Sequence, residues 1–262
     1  MTILRHEIRQ GRIPLMIWTA AIVFLMGICI LIYPEMAKQM GEISEAFGNM
    51  GGFSAAFGMD RINFGEFTGF FGVECGNILG LGGAFFAALL GISALSKEEK
   101  EHTAEFLLTH PVCRGSVIAQ KLTAVLVQIS ILNGAAVGVT ALTTLMIGES
   151  PDKKLLGLMF LAYFCMQAET AAVCFGISAF LGSGGPGLGL GLAAVFYFLN
   201  IVANLTEKAG FLKYITPFGY TDSADIIANG RIEPEYLGVG LAVLLGGIAV
   251  GFWKYGRKDI VF

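Results

Sequence analysis

Charge is what this 262-residue chain has least of: Asp, Glu, Lys and Arg together make 14% of it, where an ordinary soluble domain carries about a quarter. So few charges cannot cover a soluble globule of this length. The 17 basic residues are outnumbered by 20 acidic ones and form no dense block, which excludes a phosphate-neutralising nucleic-acid surface. Histidine is nearly absent: His6, His102 and His110 stand outside the apolar runs, with no Cys or acidic neighbours at metal-ligand spacing, so no metal is assigned. The five cysteines are odd in number, and Cys29, Cys75, Cys165 and Cys174 lie in apolar stretches as small hydrophobes, so no disulfide framework is indicated. No GxxxxGK[ST] occurs, hence no P-loop to cradle a nucleotide. The glycine-rich stretch 182–191 lacks the Lys and Ser/Thr of such a loop and reads as a tight turn.

What the chain has is hydrophobicity, 55% of residues with a mean hydropathy of +0.71. It is gathered into runs of roughly 18 residues or more, each long enough as a helix to cross a hydrocarbon core of about 30 Å. The expected fold is an all-α polytopic membrane protein, one transmembrane domain over 1–262, with spans at 13–33, 73–95, 122–147, 155–181, 188–205 and 236–253. The first run is too long for a signal-peptide core and is expected to be retained. Ahead of it, Ile3, Leu4 and Ile8 share a helical face opposite Arg5, Glu7, Arg9 and Arg12, which predicts an N-terminal helix lying on the membrane surface. Residues 34–71 are mixed and Gly-rich with seven phenylalanines, and Met36, Met40, Ile43 and Phe47 follow helical spacing, so this segment is expected to rest on the outer leaflet. Residues 206–235 are polar but carry Phe211, Tyr214, Ile215, Phe218 and Tyr220, and are expected to dip into the bilayer. Six spans put both termini on one side. Ten of the 17 Lys and Arg residues fall on that side, which by the positive-inside rule makes it the cytoplasm.

The densest information is in 97–121, KEEKEHTAEFLLTHPVCRGSVIAQK. Ala104, Leu107, Leu108 and Val112 recur at helical spacing against a charged face of Glu98, Glu99, Glu101, His102 and Glu105, and Pro111 ends the turn. A short amphipathic helix at about 98–110 is therefore predicted between two spans. Such a helix could be a connector on the headgroups or a docking element for a soluble partner; physics alone does not choose. The residues Glu98, Glu99, Thr103, Glu105, Leu107, Leu108, Pro111, Arg114 and Lys121 resemble the cytoplasmic segment between the second and third spans of ABC type-2 exporter permeases, with Cys113 and Gly115 as small departures. The six spans, the N-terminal helix, Pro217-Phe218 in the last external segment and the ending Tyr255-Gly256-Arg257-Lys258-Asp259-Ile260 are similar to that family too, so the resemblance covers the whole chain.

The resemblance implies a permease subunit of an ATP-driven exporter in a prokaryotic plasma membrane. It would not be an enzyme itself: a separate P-loop ATPase subunit would hold ATP and magnesium, and this chain would bind no cofactor. It would form the translocation path with a second permease copy or a similar permease. Glu98, Glu99, Thr103, Glu105, Leu107, Leu108, Pro111 and Arg114 would couple it to the ATPase, the leucines by buried contact and the charged residues by fixing register.

Inside the apolar runs, Glu169 is the costliest residue, a carboxyl group that needs a partner, a proton or a wet cavity. Asn200 and Asn204 share a helical face one turn apart and would line a path or bond to a neighbouring helix. Gly134 with Gly138 and Gly247 with Gly251 read as helix-packing pairs, within the chain or between protomers. Two other function classes are open on these residues: an ion-coupled secondary carrier or channel using Glu169, and an integral membrane enzyme. The carrier lacks a clear inverted repeat, and the enzyme lacks a cluster of acids, histidines or serines facing one depth.

Overall fold

The computed structural model describes residues 2–48, 61–63, 65–97, 113–182 and 185–258, and every regular element among them is helical. In order they are α1 (Thr2–Gly48), α2 (Phe67–Ala94), α3 (Arg114–Ile147), α4 (Lys153–Ser178), α5 (Pro186–Leu205), a 3₁₀ segment (Glu207–Tyr214), α6 (Ser223–Asn229) and α7 (Pro234–Gly256). Six of these, all but the 3₁₀ segment and α6, are long and apolar enough to cross a membrane. The protein is therefore an all-α polytopic membrane protein.

Local chemistry sets the boundaries. Asp152 caps α4 by accepting from the Lys154 and Leu155 amides at 2.8 and 3.2 Å. Pro186 and Pro234 open α5 and α7 at a position where a missing amide proton costs nothing. Gly148 ends α3 in the left-handed region at φ 74°, a conformation that favours glycine. Beyond α1, the observed helices start two to eight residues earlier than the apolar runs, and in α3 this is because the polar turns from Arg114 to Lys121 continue the same helix.

Helix α1 corrects two expectations. Residues 2–12 are not a separate surface helix, and the first span does not end at Tyr33: the helical spacing of Met36, Met40, Ile43 and Phe47 continues it, so that 2–48 form one 47-residue helix. At 1.5 Å per residue it is about 70 Å long, more than twice the hydrocarbon thickness, so its ends project beyond it. The first turns are tied to α3 rather than to headgroups. The Leu4 amide donates to Gln120 Oε1 at 3.3 Å, and Lys121 Nζ lies 3.2 Å from Glu7 Oε1. Pro14 and Pro34 sit inside the helix, each removing one i to i−4 bond without ending it. Phe53, Phe57 and Phe64 of the expected leaflet segment lie outside the described residues.

The core is built around α2 and α4. Their most apolar windows are 61% and 67% buried, against 17% and 11% for α5 and α7, so the first pair is central and the second peripheral. Missing side chains let α2 and α4 approach: a Cβ at Gly76 would collide with the Tyr163 hydroxyl, and one at Gly83 with the Gln167 amide. The Gln167 amide then serves three helices. Its Oε1 accepts from Asn133 Nδ2 of α3 at 2.6 Å, and its Nε2 donates to the Leu79 carbonyl of α2 at 3.3 Å. The two glycine pairs differ in use. Gly247 and Gly251 pack on Ala172 and Phe175 of α4 within this chain, whereas Gly134 and Gly138 meet nothing within 4 Å.

Candidate functional site

Polar chemistry collects at the two ends of the helix bundle. Contacts of Glu7 with Lys97 and Lys121, and of Arg114 with Gly256 and Lys258, bring the chain termini and the junction between α2 and α3 to one face. The opposite face holds the α1–α2 and α5–α7 connections.

At that far face the α5–α7 segment folds back against the bundle. Thr216 Oγ1 donates to the Phe196 carbonyl at 2.7 Å, and Phe218 and Tyr220 are each 4% exposed. Tyr220 reaches Glu169: its hydroxyl donates to Glu169 Oε2 at 2.7 Å, beside Gly240, where a Cβ would crowd both residues. Glu169 is the 17th of the 26 residues of α4, yet it is level with Gly240, only six residues into α7. That is roughly 9 Å along the helix from the α7 end at the far face. The carboxyl is 3% exposed, so its bond to Tyr220 is formed without competing water. Burial first, and then the Glu169 carboxyl beside it, push the Tyr220 phenol up from its ordinary value, so it stays a proton donor.

Next to this pair lies a cavity of about 60 Å³ lined by Asn77, Tyr163, Tyr197, Asn200, Asn204 and Asp222 among others. Its volume suits a few waters rather than a bulky substrate. Tyr197 donates to Asn77 Oδ1 at 3.2 Å, and Asn200 Oδ1 is buried without a hydrogen-bond partner among the described residues. The structure therefore brings Asn200 and Asn204 together on one polar wall and places Glu169 in a separate contact.

An ion cluster covers this region. Arg61, just before α2, reaches Asp222 Oδ2 and Asp225 Oδ1 at 2.7 Å each, and Lys213 reaches the same two carboxylates at 3.2 and 3.1 Å. Asp222 also caps α6, accepting from the Ala224 amide at 3.0 Å. Burial alone would raise the Asp222 carboxyl. The Lys213 ammonium and Arg61 guanidinium overcome that and hold it below the usual carboxylate range.

At the termini face Arg114 opens α3, and its Nη1 donates to the carbonyls of Gly256 at 3.4 Å and Lys258 at 2.9 Å, past the end of α7. Lys258 Nζ in turn donates to the Leu181 carbonyl after α4 at 2.9 Å. Arg114 is thus bonded within the chain to another helix end. The remaining residues assigned to ATPase coupling, Glu98, Glu99, Thr103, Glu105, Leu107, Leu108 and Pro111, lie outside the described residues. Among the described residues no three His, Cys, Asp or Glu side chains are grouped to hold a metal.

The polar partners that sequence reasoning missed are Tyr220, Arg61, Lys213, Asp222, Gln167 and Glu7. A charge or amide next to an apolar run signals a need for a partner, but not which distant residue supplies it.

Six helices long and apolar enough to cross a membrane, joined by buried side-chain bonds such as Gln167 to Asn133, define a polytopic integral membrane protein. The family model for the ABC-2 family transporter protein matches residues 1–260, and the chain belongs to that family. It is accordingly a membrane permease subunit of the ABC class and not itself the ATPase, and membership implies association with an ABC ATPase. Comparison with curated proteins gives no significant match.

Proposed function

We propose that this permease works as an exporter in a prokaryotic plasma membrane, both termini cytoplasmic, with a second permease copy or a similar permease completing the path. A separate P-loop ATPase binds ATP and magnesium and drives it through the segment 98–110. The observation that carries this reading is the bonding of Arg114 to the end of α7 and of Lys258 to the end of α4. Any force applied to the segment preceding α3 meets three helix ends already tied together, and a rigid junction passes on motion that a loose loop would absorb. The outward-facing apolar surfaces of α5 and α7, with Phe198, Leu245 and Trp253 more than half exposed, support contact with lipid or a second permease.

The test is co-purification of the tagged chain in mild detergent, wild type beside a Leu107→Asp, Leu108→Asp variant, with ATP hydrolysis assayed on each. The expected result is a P-loop subunit and ATPase activity with the wild type alone. A wild type that purifies alone, or a variant that retains its ATPase, would overturn the coupling role. Arg114 is a poor probe of coupling, because its removal loosens α7 directly.

A further inference from the structure

At the termini face, between α1, the adjoining ends of α2 and α3 and the first residue of α5, lies a cavity of about 390 Å³, within the usual size of a small-molecule site. At its inner end Trp18 of α1 and Phe86 of α2 meet with ring centroids 6.2 Å apart. Pro14, Leu89 and Leu90 continue the apolar wall toward the termini. Seven residues from each ring in that direction stand Gly11 on α1 and Ser93 on α2, so these two share a level roughly 10 Å from the ring pair. Gln128 of α3 joins them, resting against Gly11, where a Cβ would collide with its amide.

Two hydrogen-bonding side chains at this level are left unused. Gln128 is 4% exposed; its Nε2 donates to the Ala124 carbonyl one turn back on its own helix at 3.2 Å, and its Oε1 has no hydrogen-bond partner among the described residues. Ser93 Oγ likewise makes no hydrogen bond among the described residues. A buried acceptor at a cavity wall calls for a donor from outside the protein. A water placed between the two would bring a second proton toward Pro14, Ala94 and Val125, whose side chains offer it no acceptor. An alcohol hydroxyl has one proton, for Gln128 Oε1, and accepts the Ser93 proton in return. Gly11 stands two residues before the uncharged run that opens at Ile13, so such a hydroxyl lies at the edge of the hydrocarbon and the chain attached to it lies within.

We propose that this cavity binds an uncharged long-chain amphiphile through a free hydroxyl, which donates to Gln128 and accepts from Ser93 while its chain runs along Leu89 and Leu90 to Trp18 and Phe86. The recognition rests on one proton and an apolar tail, and it makes no use of the ionic groups nearer the termini. Binding of this kind is independent of the ATPase and of the direction of transport, so its failure would leave the permease reading where it stands.

The chain has two tryptophans, and Trp253→Phe leaves Trp18 as the sole reporter. The protein, reconstituted in phosphatidylcholine vesicles, is titrated with ω-bromodecanol, whose terminal bromine quenches indole on contact, and with the methyl ether of the same bromide, which keeps the chain and lacks the hydroxyl proton. At equal concentration in the membrane, several-fold stronger quenching by the alcohol is expected, and unbrominated decanol should relieve it. Gln128→Leu, which keeps the side-chain volume and removes an unpaired buried amide, should abolish the preference for the alcohol and leave quenching by the ether as it was. Ser93→Ala should weaken the preference, and it carries the test should Gln128→Leu not fold. Equal quenching by alcohol and ether, or a preference that survives either change intact, would overturn the proposal. Quenching that unbrominated decanol does not relieve would place the bromine in the bilayer beside α1 and overturn it as well.

Discussion

The two ends of the helix bundle solve opposite problems with different bonds. The far face is closed by side chains meeting side chains: Arg61 and Lys213 on Asp222 and Asp225, and Tyr220 on Glu169. The termini face is held largely by side chains meeting main-chain carbonyls at helix ends, Arg114 at Gly256 and Lys258, Lys258 at Leu181, Lys121 at Ala94, and it keeps a cavity six times the size of the other. Paired charges are all-or-none, since removing one strands the others. Carbonyl caps are individually weak, so the termini face depends on several of them acting together to hold the ends of α3, α4 and α7 as one junction.

The sharpest break of this comparison is Asp222→Asn. It leaves Arg61 and the largely buried Lys213 with Asp225 alone, while the amide oxygen of Asn can still cap α6. Loss of one member of a buried pair costs about 3–5 kcal/mol, and the 44% exposure of Arg61 reduces this to about 2–3 kcal/mol. The expected outcome is a clear fall in the midpoint of thermal unfolding in detergent, with earlier proteolysis at 206–233 than at 113–121. Equal cleavage of both regions would show that the far face has no lock of its own.

Next in size is the Glu169 contact. Tyr220→Phe removes the donor and leaves a buried carboxyl facing a ring, a loss of about 1–3 kcal/mol. Glu169→Gln keeps an acceptor for the Tyr220 hydroxyl and removes the costly charge, so it should be nearly neutral in stability. If Glu169→Gln proves the more damaging of the two in unfolding assays, the contact depends on the carboxylate and the ion-coupled reading of Glu169 gains ground.

A pH series sharpens the same comparison with less perturbation. Asp222 is held below its unfolded value, so its contribution is complete above a pH of about 4 and is lost as pH falls through the lower folded value. Lys213 is shifted the other way: burial lowers it, but Asp222 and Asp225 raise it above its ordinary range, so its contribution is complete below about 10 and lost above that. The far-face segment should therefore keep constant protease resistance between about pH 4 and 10 in the wild type. Asp222→Asn should begin lower at neutral pH and show a shallower acid decline.

How much of this could be read from the sequence depended on range. Helix α5 was expected at 188–205 and is Pro186–Leu205, because apolarity and the flanking glycines and proline act within a few residues. The start of α1 is not legible in the same way, because Arg5, Glu7, Arg9 and Arg12 look like an interfacial face until Glu7 meets Lys121, 114 residues away. Glu169 is recognisable as a residue in need of a partner, yet Tyr220 is 51 residues on, one of five apolar or aromatic residues in a polar segment that mark it for burial without saying against what. Arg61 and Asp222 are 161 residues apart. Charges near spans carry the demand for pairing in their chemistry, and the supply only in the topology.

The smallest effect is expected at the termini face. Arg114→Gln removes a charge whose bonds go to two carbonyls, at 3.4 and 2.9 Å, in a half-exposed position. Neutral amide donors can replace one of them, and water reaches the other, so the change should cost about 0.5–1 kcal/mol. Stability is therefore the wrong place to look for its consequence. The end of α7 should become more mobile, and a spin label at Lys254 should report faster motion while one at the exposed Arg231, at the far face beside Gly230, reports none. If the far-face label loosens equally, the two ends are not separable units, and what Arg114 holds is the whole bundle rather than one corner of it.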